Sequence, residues 1–145
     1  MATVAEILRR KGEQVHAVSP SDSVLAAVQI MNEARIGGVV VLSDQGDLVG
    51  MFTERDLMRR VVGKGLEANH LPIGNVMTSE VIGCGPDTTL EDCAAAMTRH
   101  RVRHLPVQDG SRVVGIVTIG DLLAYQVSDQ RETIEQLTSF VYENR

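Results

Sequence analysis

The chain repeats itself, and the repeat leaves few folds open. Ser19-Pro20-Ser21-Asp22 recurs as Gly85-Pro86-Asp87-Thr88. The stretch from Leu48 to Met58, with Gly50, Thr53 and Asp56, recurs from Val113 to Leu123, with Gly115, Thr118 and Asp121. The interval between partners shortens by one residue along the way, which a single deletion in the second copy's turn accounts for. Self-similarity of this kind marks a chain built from copies of one supersecondary unit.

The hydrophobic period defines the unit. Val15 to Val18 reads as a short strand, broken at Ser19–Asp22. Val24, Val28 and Met31, flanked by Ala27 and Ala34, form the apolar face of a helix. Ser23 is its N-cap and Gly37-Gly38 its stop. Val39 to Leu42 is a buried strand, residues 43–47 a turn, and Leu48 to Thr53 an antiparallel return strand. Glu54 to Val62 is predicted helical, with Leu57, Met58, Val61 and Val62 inward.

The second copy reads the same way. Val81 to Cys84 is a strand, and Leu90, Ala94 and Met97 are a helix face. Thr89 is the N-cap there, with Asp92 at the reciprocal capping-box position. His104 to Val107 and Val113 to Thr118 are strands, and Gly120 to Val127 is a helix.

Short helices precede both copies: Val4, Ile7 and Leu8 in one, Ile73 to Met77 in the other. Residues 63–72 are a linker. Residues 128–145 hold a separate helix with Ile134, Leu137 and Val141 on one face, which either caps the core or pairs with a second subunit. One copy of roughly 60 residues buries its sheet poorly alone. The expected fold is therefore mixed α/β (α+β). Two β-α-β-β-α repeats, 4–62 and 73–127, pack sheet to sheet about a pseudo-twofold axis, with extra helices at both ends.

Composition narrows the function classes. The 145 residues carry a net charge of −5, no Trp, 2 Phe and 2 Tyr. That argues against a duplex DNA footprint and against base-stacking platforms. No apolar run is long enough to span a membrane. Cys84 and Cys93 form no CxxC pair and read as small buried thiols of a reducing, cytoplasmic setting. Arg9, Arg10 and Lys11 follow rather than precede the apolar residues of the first helix, the wrong order for a secretory leader. His100 and His104 have HxxxH spacing, but it crosses a helix–strand boundary and lacks a third ligand, so no metal site is expected. Glu54, Arg55 and Asp56 have no nucleophile, metal cluster or GxGxxG beside them, so no catalytic role is assigned.

The repeated Gly-h-h-Thr-x-x-Asp ending (Gly50 to Asp56, Gly115 to Asp121; h, hydrophobic) resembles the tandem cystathionine-β-synthase (CBS) domain, or Bateman module. Val102-Arg103-His104-Leu105-Pro106-Val107 is similar to that family's second strand, and the resemblance spans about Val4 to Val127. With no catalytic domain left over, the chain looks like a stand-alone two-CBS protein rather than the regulatory insert of an IMP dehydrogenase. The resemblance implies adenosyl ligands: AMP, ADP, ATP, NAD(H) or S-adenosylmethionine. It also implies a homodimer, and a regulated partner protein that the sequence does not name.

Two clefts built across the repeats are implied. One joins Met51, Thr53, Arg55 and Asp56 to Glu80, Val81 and Ile82 and to Arg101, Arg103 and His104. The other joins Ile116, Thr118, Gly120 and Asp121 to Gln14, Val15 and His16 and to Arg35, Gly37 and Gly38. In each, the Asp carboxylate can accept from both ribose hydroxyls, at about 1.5–3 kcal/mol per charge-assisted bond. Free N–H groups at the helix start suit a phosphate, and Met51 or Ile116 can flank the adenine. The first cleft has four candidate cations and is expected to hold phosphate more tightly. The plain alternative for Thr118 and Asp121 is an N-cap and a surface acid; recurrence in register favours a ligand site. A ligand-free dimerisation scaffold is the other reading of the whole chain.

Overall fold

The computed structural model describes residues 1–12 and 14–143. The elements in order are α1 (Val4–Lys11), β1 (Ala17–Val18), α2 (Val24–Ala34), β2 (Gly38–Leu42), β3 (Leu48–Thr53), α3 (Glu54–Asp56), α4 (Leu90–His100), β4 (His104–Asp109), β5 (Arg112–Thr118) and α5 (Ile119–Glu143). β1 runs parallel to β2, and β2 antiparallel to β3. β4 and β5 form the antiparallel hairpin of the second copy. This is the mixed tandem architecture that the repeat implied.

Each sheet packs on its own helix. Val18, Val39, Val41 and Phe52 close on Val24, Ala27 and Met31 of α2. Leu105, Val107 and Val117 close on Cys93 and Met97 of α4. The leading segments, however, are exchanged. Val4, Ile7 and Leu8 of α1, which precede the first copy, lie in the core of the second. Ile73 and Val76, which precede the second copy, lie in the core of the first. Backbone bonds fix the exchange: Val4 N donates to Thr88 O at 2.9 Å, and Ile73 N to Asp22 O at 2.8 Å. Residues 63–72 are therefore more than a tether, since Val24 N and Leu25 N donate to Leu71 O and Ala68 O.

Several local expectations are corrected. The α2 helix is stopped by Arg35 in the left-handed conformation (φ 57°), and α4 by Arg101 (φ 55°); Gly37-Gly38 is not the stop, and Gly38 opens β2. The predicted strand Val81–Cys84 makes only an isolated parallel bridge, Cys84 to Val107. Beyond α3 the chain takes a π turn (Leu57–Val61) and then a 3₁₀ turn (Val62–Lys64). Across these turns Val61 is buried while Met58 and Val62 are exposed. Cys93 rather than Ala94 faces the core from α4. Thr89 accepts from Asp92 N, without a reciprocal bond from the Asp92 side chain. The last helix is continuous over 25 residues, with no break at Ser128. Ile73–Asn75 is a single 3₁₀ turn.

Candidate functional site

The repeated Thr-x-x-Asp is first a capping device. Thr53 Oγ1 accepts from Asp56 N, and Asp56 Oδ2 accepts from Thr53 N at 3.0 Å, a reciprocal capping box at the start of α3. Thr118 and Asp121 do the same for α5, at 3.1 and 2.9 Å. Two of the four orphan donors at each helix start are thereby satisfied. The sequence carried this signal, S/T-x-x-E/Q with Asp in place of Glu, alongside the ligand reading.

The two carboxylates then diverge. Asp56 is only 7% exposed. Its Oδ1 accepts from Thr78 Oγ1 at 3.0 Å, and Arg60 Nε lies 3.6 Å away. An ionised carboxylate offers about four acceptor sites. Three are engaged, counting Thr53 Oγ1 on Oδ2, which leaves room for one further donor rather than two. Asp121 instead receives the Lys11 ammonium at 2.8 Å, and the same Nζ donates to Ile116 O at 2.7 Å.

A cleft of about 330 Å³ opens around Asp56. The structure brings eight of the predicted residues to its wall: Met51, Thr53, Arg55, Asp56, Val81, Arg101, Arg103 and His104. Glu80 and Ile82 are not on it. Glu80 is exposed and Ile82 packs on the second core. Glu54, Met58, Thr78 and Val102 also line the cleft. Thr78 was missed because nothing in its sequence neighbourhood marks it; it is placed by a backbone bridge to Met51, with bonds of 2.9 and 2.8 Å.

The cations sort into separate roles. Arg55 Nη1 donates to the Arg101 carbonyl and ties the repeats together across the cleft. Burial holds His104 below the ordinary imidazole pKa, with nearby Glu54 and Asp121 opposing the shift and Lys11 and Arg103 reinforcing it. His104 is thus neutral at pH 7 and is not one of four cations. Among the described residues, neither Arg101 nor Arg103 has a carboxylate partner.

The second predicted set is dispersed over other tasks. His16 O accepts from Val40 N at the β1–β2 seam. Arg35 caps α2 and is exposed, as are Gln14 and Gly120, while Val15 is half-buried. Gly37 and Gly38 make room for His104. A Cβ on Gly37 would stand 3.2 Å from His104 Nε2 and 3.2 Å from Glu54 Oε1, and one on Gly38 3.4 Å from His104 Cδ2.

Two copies of one β-α-β-β-α unit, sharing their leading segments and enclosing a cleft between them, define a tandem-repeat module. The chain belongs to the CBS-domain family: the family model matches residues 3–63 and 73–128. It is 36% identical to the CBS domain-containing protein YhcV of Bacillus subtilis, covering 81% of this chain and 82% of that one. It is 29% identical to the mitochondrial CBS domain-containing protein CBSX3 of Arabidopsis thaliana, over 96% of this chain and 71% of that one. A solved structure from Burkholderia ambifaria, described as a signal-transduction protein with CBS domains, superposes with a TM-score of 0.84 at 37% identity, covering 89% of this chain and 96% of that one. CBS-domain proteins are generally regulatory modules, often nucleotide-binding, and stand-alone ones are typically non-catalytic. Among the described residues, no helix is long and apolar enough to cross a membrane.

Proposed function

We propose that the protein is a sensor that takes one adenine nucleotide per chain in the Asp56 cleft and relays occupancy to a partner protein. The carrying observation is the pairing of a buried, capped carboxylate with Arg101 and Arg103, which have no carboxylate partner among the described residues. In this reading the adenine lies between Met51 and Val81, one ribose hydroxyl donates to Asp56, and the phosphates face Arg101 and Arg103. Ligand contacts on both repeats favour one relative arrangement of the two, which is how binding becomes a signal. AMP, ADP, ATP, NAD(H) and S-adenosylmethionine share the adenosyl group this site would read. The Asp121 position is occupied by Lys11, which supports a ranking of the Asp56 cleft first.

Thermal unfolding with and without AMP, ATP, NADH or S-adenosylmethionine is the test. A ligand at 100 times its dissociation constant adds about 2.7 kcal/mol. Arg101→Ala with Arg103→Ala should abolish that gain for phosphate-bearing ligands. No shift with any adenosyl compound would reject the sensor reading and favour the ligand-free scaffold, which draws on the exposed stripe of α5.

A further inference from the structure

The α5 helix carries two faces. Leu122 and Tyr125 pack against the second core, Tyr125 Oη donates to Glu6 at 2.7 Å, and the Arg10 guanidinium lies 4.7 Å over the Tyr125 ring. Arg10 also reaches Ser128 Oγ at 3.4 Å. About 130° around the helix, by its 100° step per residue, runs a second stripe: Leu123, Val127, Gln130, Ile134, Leu137 and Val141. Its five apolar members are all exposed, Ile134 at 62%. Every residue described from Asp129 to Ser139 is exposed. A helix segment of about 15 residues with no packed face is marginal in water, so this stretch needs a partner.

We propose that the stripe is the seam of a parallel, two-stranded coiled coil with the α5 of a second copy of this chain. The spacing alternates four and three residues, the heptad pattern. It places Val127, Ile134 and Val141 at a positions, and Leu123 and Leu137 at d positions. β-branched residues at a with Leu at d favour two parallel strands. Gln130 occupies the middle d position. In a parallel, in-register pair it meets its own copy and the two amides bond each other. In an antiparallel pair it would oppose apolar Ile134 and stay unsatisfied. One polar core residue of this kind fixes register at some cost in stability. The acids Asp129, Glu132 and Glu135 all fall outside the a, d, e and g positions, so the seam carries no like-charge repulsion in a helix that is otherwise acidic. Leu122 and Tyr125, which hold the body of each protomer, lie about 130° from the seam by the same step, so the bodies stand to the outer side of the pair.

This inference does not depend on the nucleotide reading. Sedimentation equilibrium of the full chain should give a dimer. Ile134→Glu with Leu137→Glu should weaken it by more than about a hundredfold, with the body's melting transition unchanged, because both side chains are exposed on their own chain, and with only the helical far-UV signal of the freed end of α5 reduced. In a Cys84→Ser background, which removes the half-buried second thiol, Leu137→Cys should oxidise to a self-linked dimer on a non-reducing gel, while the same background without Leu137→Cys, with Cys93 buried, should not. A monomeric wild type, a dimer that survives the double glutamate variant, or a link between Val127→Cys and differently tagged Leu137→Cys chains in place of the Leu137→Cys self-link would each overturn the proposal.

Discussion

Asp56 and Asp121 hold equivalent places in the two repeats, yet they are bound differently because the residues in front of each repeat differ. Thr78, a neutral hydroxyl, meets Asp56, whereas Lys11 meets Asp121. A hydroxyl, with Arg60 Nε no nearer than 3.6 Å, leaves Asp56 most of its charge; an ammonium at 2.8 Å neutralises Asp121 and fills the space a ribose would need. If Lys11 alone closes the second cleft, Lys11→Met opens it while keeping an apolar side chain of similar length. Calorimetric titration with AMP or ATP should then rise from one to two sites per chain. The pair is partly exposed, so its loss should cost stability only within about 1 kcal/mol. A stoichiometry that stays at one in the Lys11→Met variant would remove Lys11 from this role. The residue identities of both clefts were legible from the repeat, but their occupancy was not. Lys11 lies far along the chain from Asp121, and only the exchange of leading segments brings them together.

At the scale of elements, the repeated glycine of Gly-h-h-Thr-x-x-Asp acquires a packing reason. A Cβ on Gly50 would stand 2.6 Å from Met77 Sδ and 2.8 Å from the Thr78 carbonyl. A Cβ on Gly115 would stand 2.6 Å from Leu8 Cδ2. Each glycine marks where the other repeat's leading segment crosses a strand. The obstacles differ in kind: backbone at Gly50, the end of a flexible side chain at Gly115. Gly50→Ala should cost about 1–3 kcal/mol and weaken nucleotide binding, since the displaced segment carries Thr78 away from Asp56. Gly115→Ala should cost less and leave the Asp56 cleft unaffected. Chemical denaturation of the two variants gives the comparison; an equal cost would mean that the segment at Thr78 yields as easily as a side chain. The strands and long helices were readable here because their apolar periods are unbroken. Val81–Cys84 was overread as a strand because β-branched composition marks a tendency, whereas ladder pairing needs a neighbour in register. The π turn after α3 was invisible, since Leu57, Met58, Val61 and Val62 fit an ordinary helix period equally well.

For the whole molecule, the exchanged leaders make the repeats mutually dependent. The core of the second copy includes Val4, Ile7 and Leu8 from the start of the chain; the core of the first includes Ile73 and Val76 from its middle. Neither core is complete within one contiguous repeat, so a chain cut in the linker would leave each half lacking one wall. Folding is therefore expected to be a single transition across both copies, rather than two. Ile7→Ala is the sharper probe, because Ile7 is 4% exposed and lies wholly in the second core. Removing its side chain should cost about 2–5 kcal/mol, lowering the melting temperature by on the order of 10 °C. If the copies are coupled, the loss should appear equally in both. Hydrogen exchange of β2 and β3, in the untouched first core, should speed up by the same factor as exchange of β4 and β5. Protection retained in β2 and β3 while β4 and β5 open would mean that the exchange of leaders joins the repeats in space but not in energy. The same coupling would let a ligand held between Asp56 and the arginines at 101 and 103 act on both cores at once.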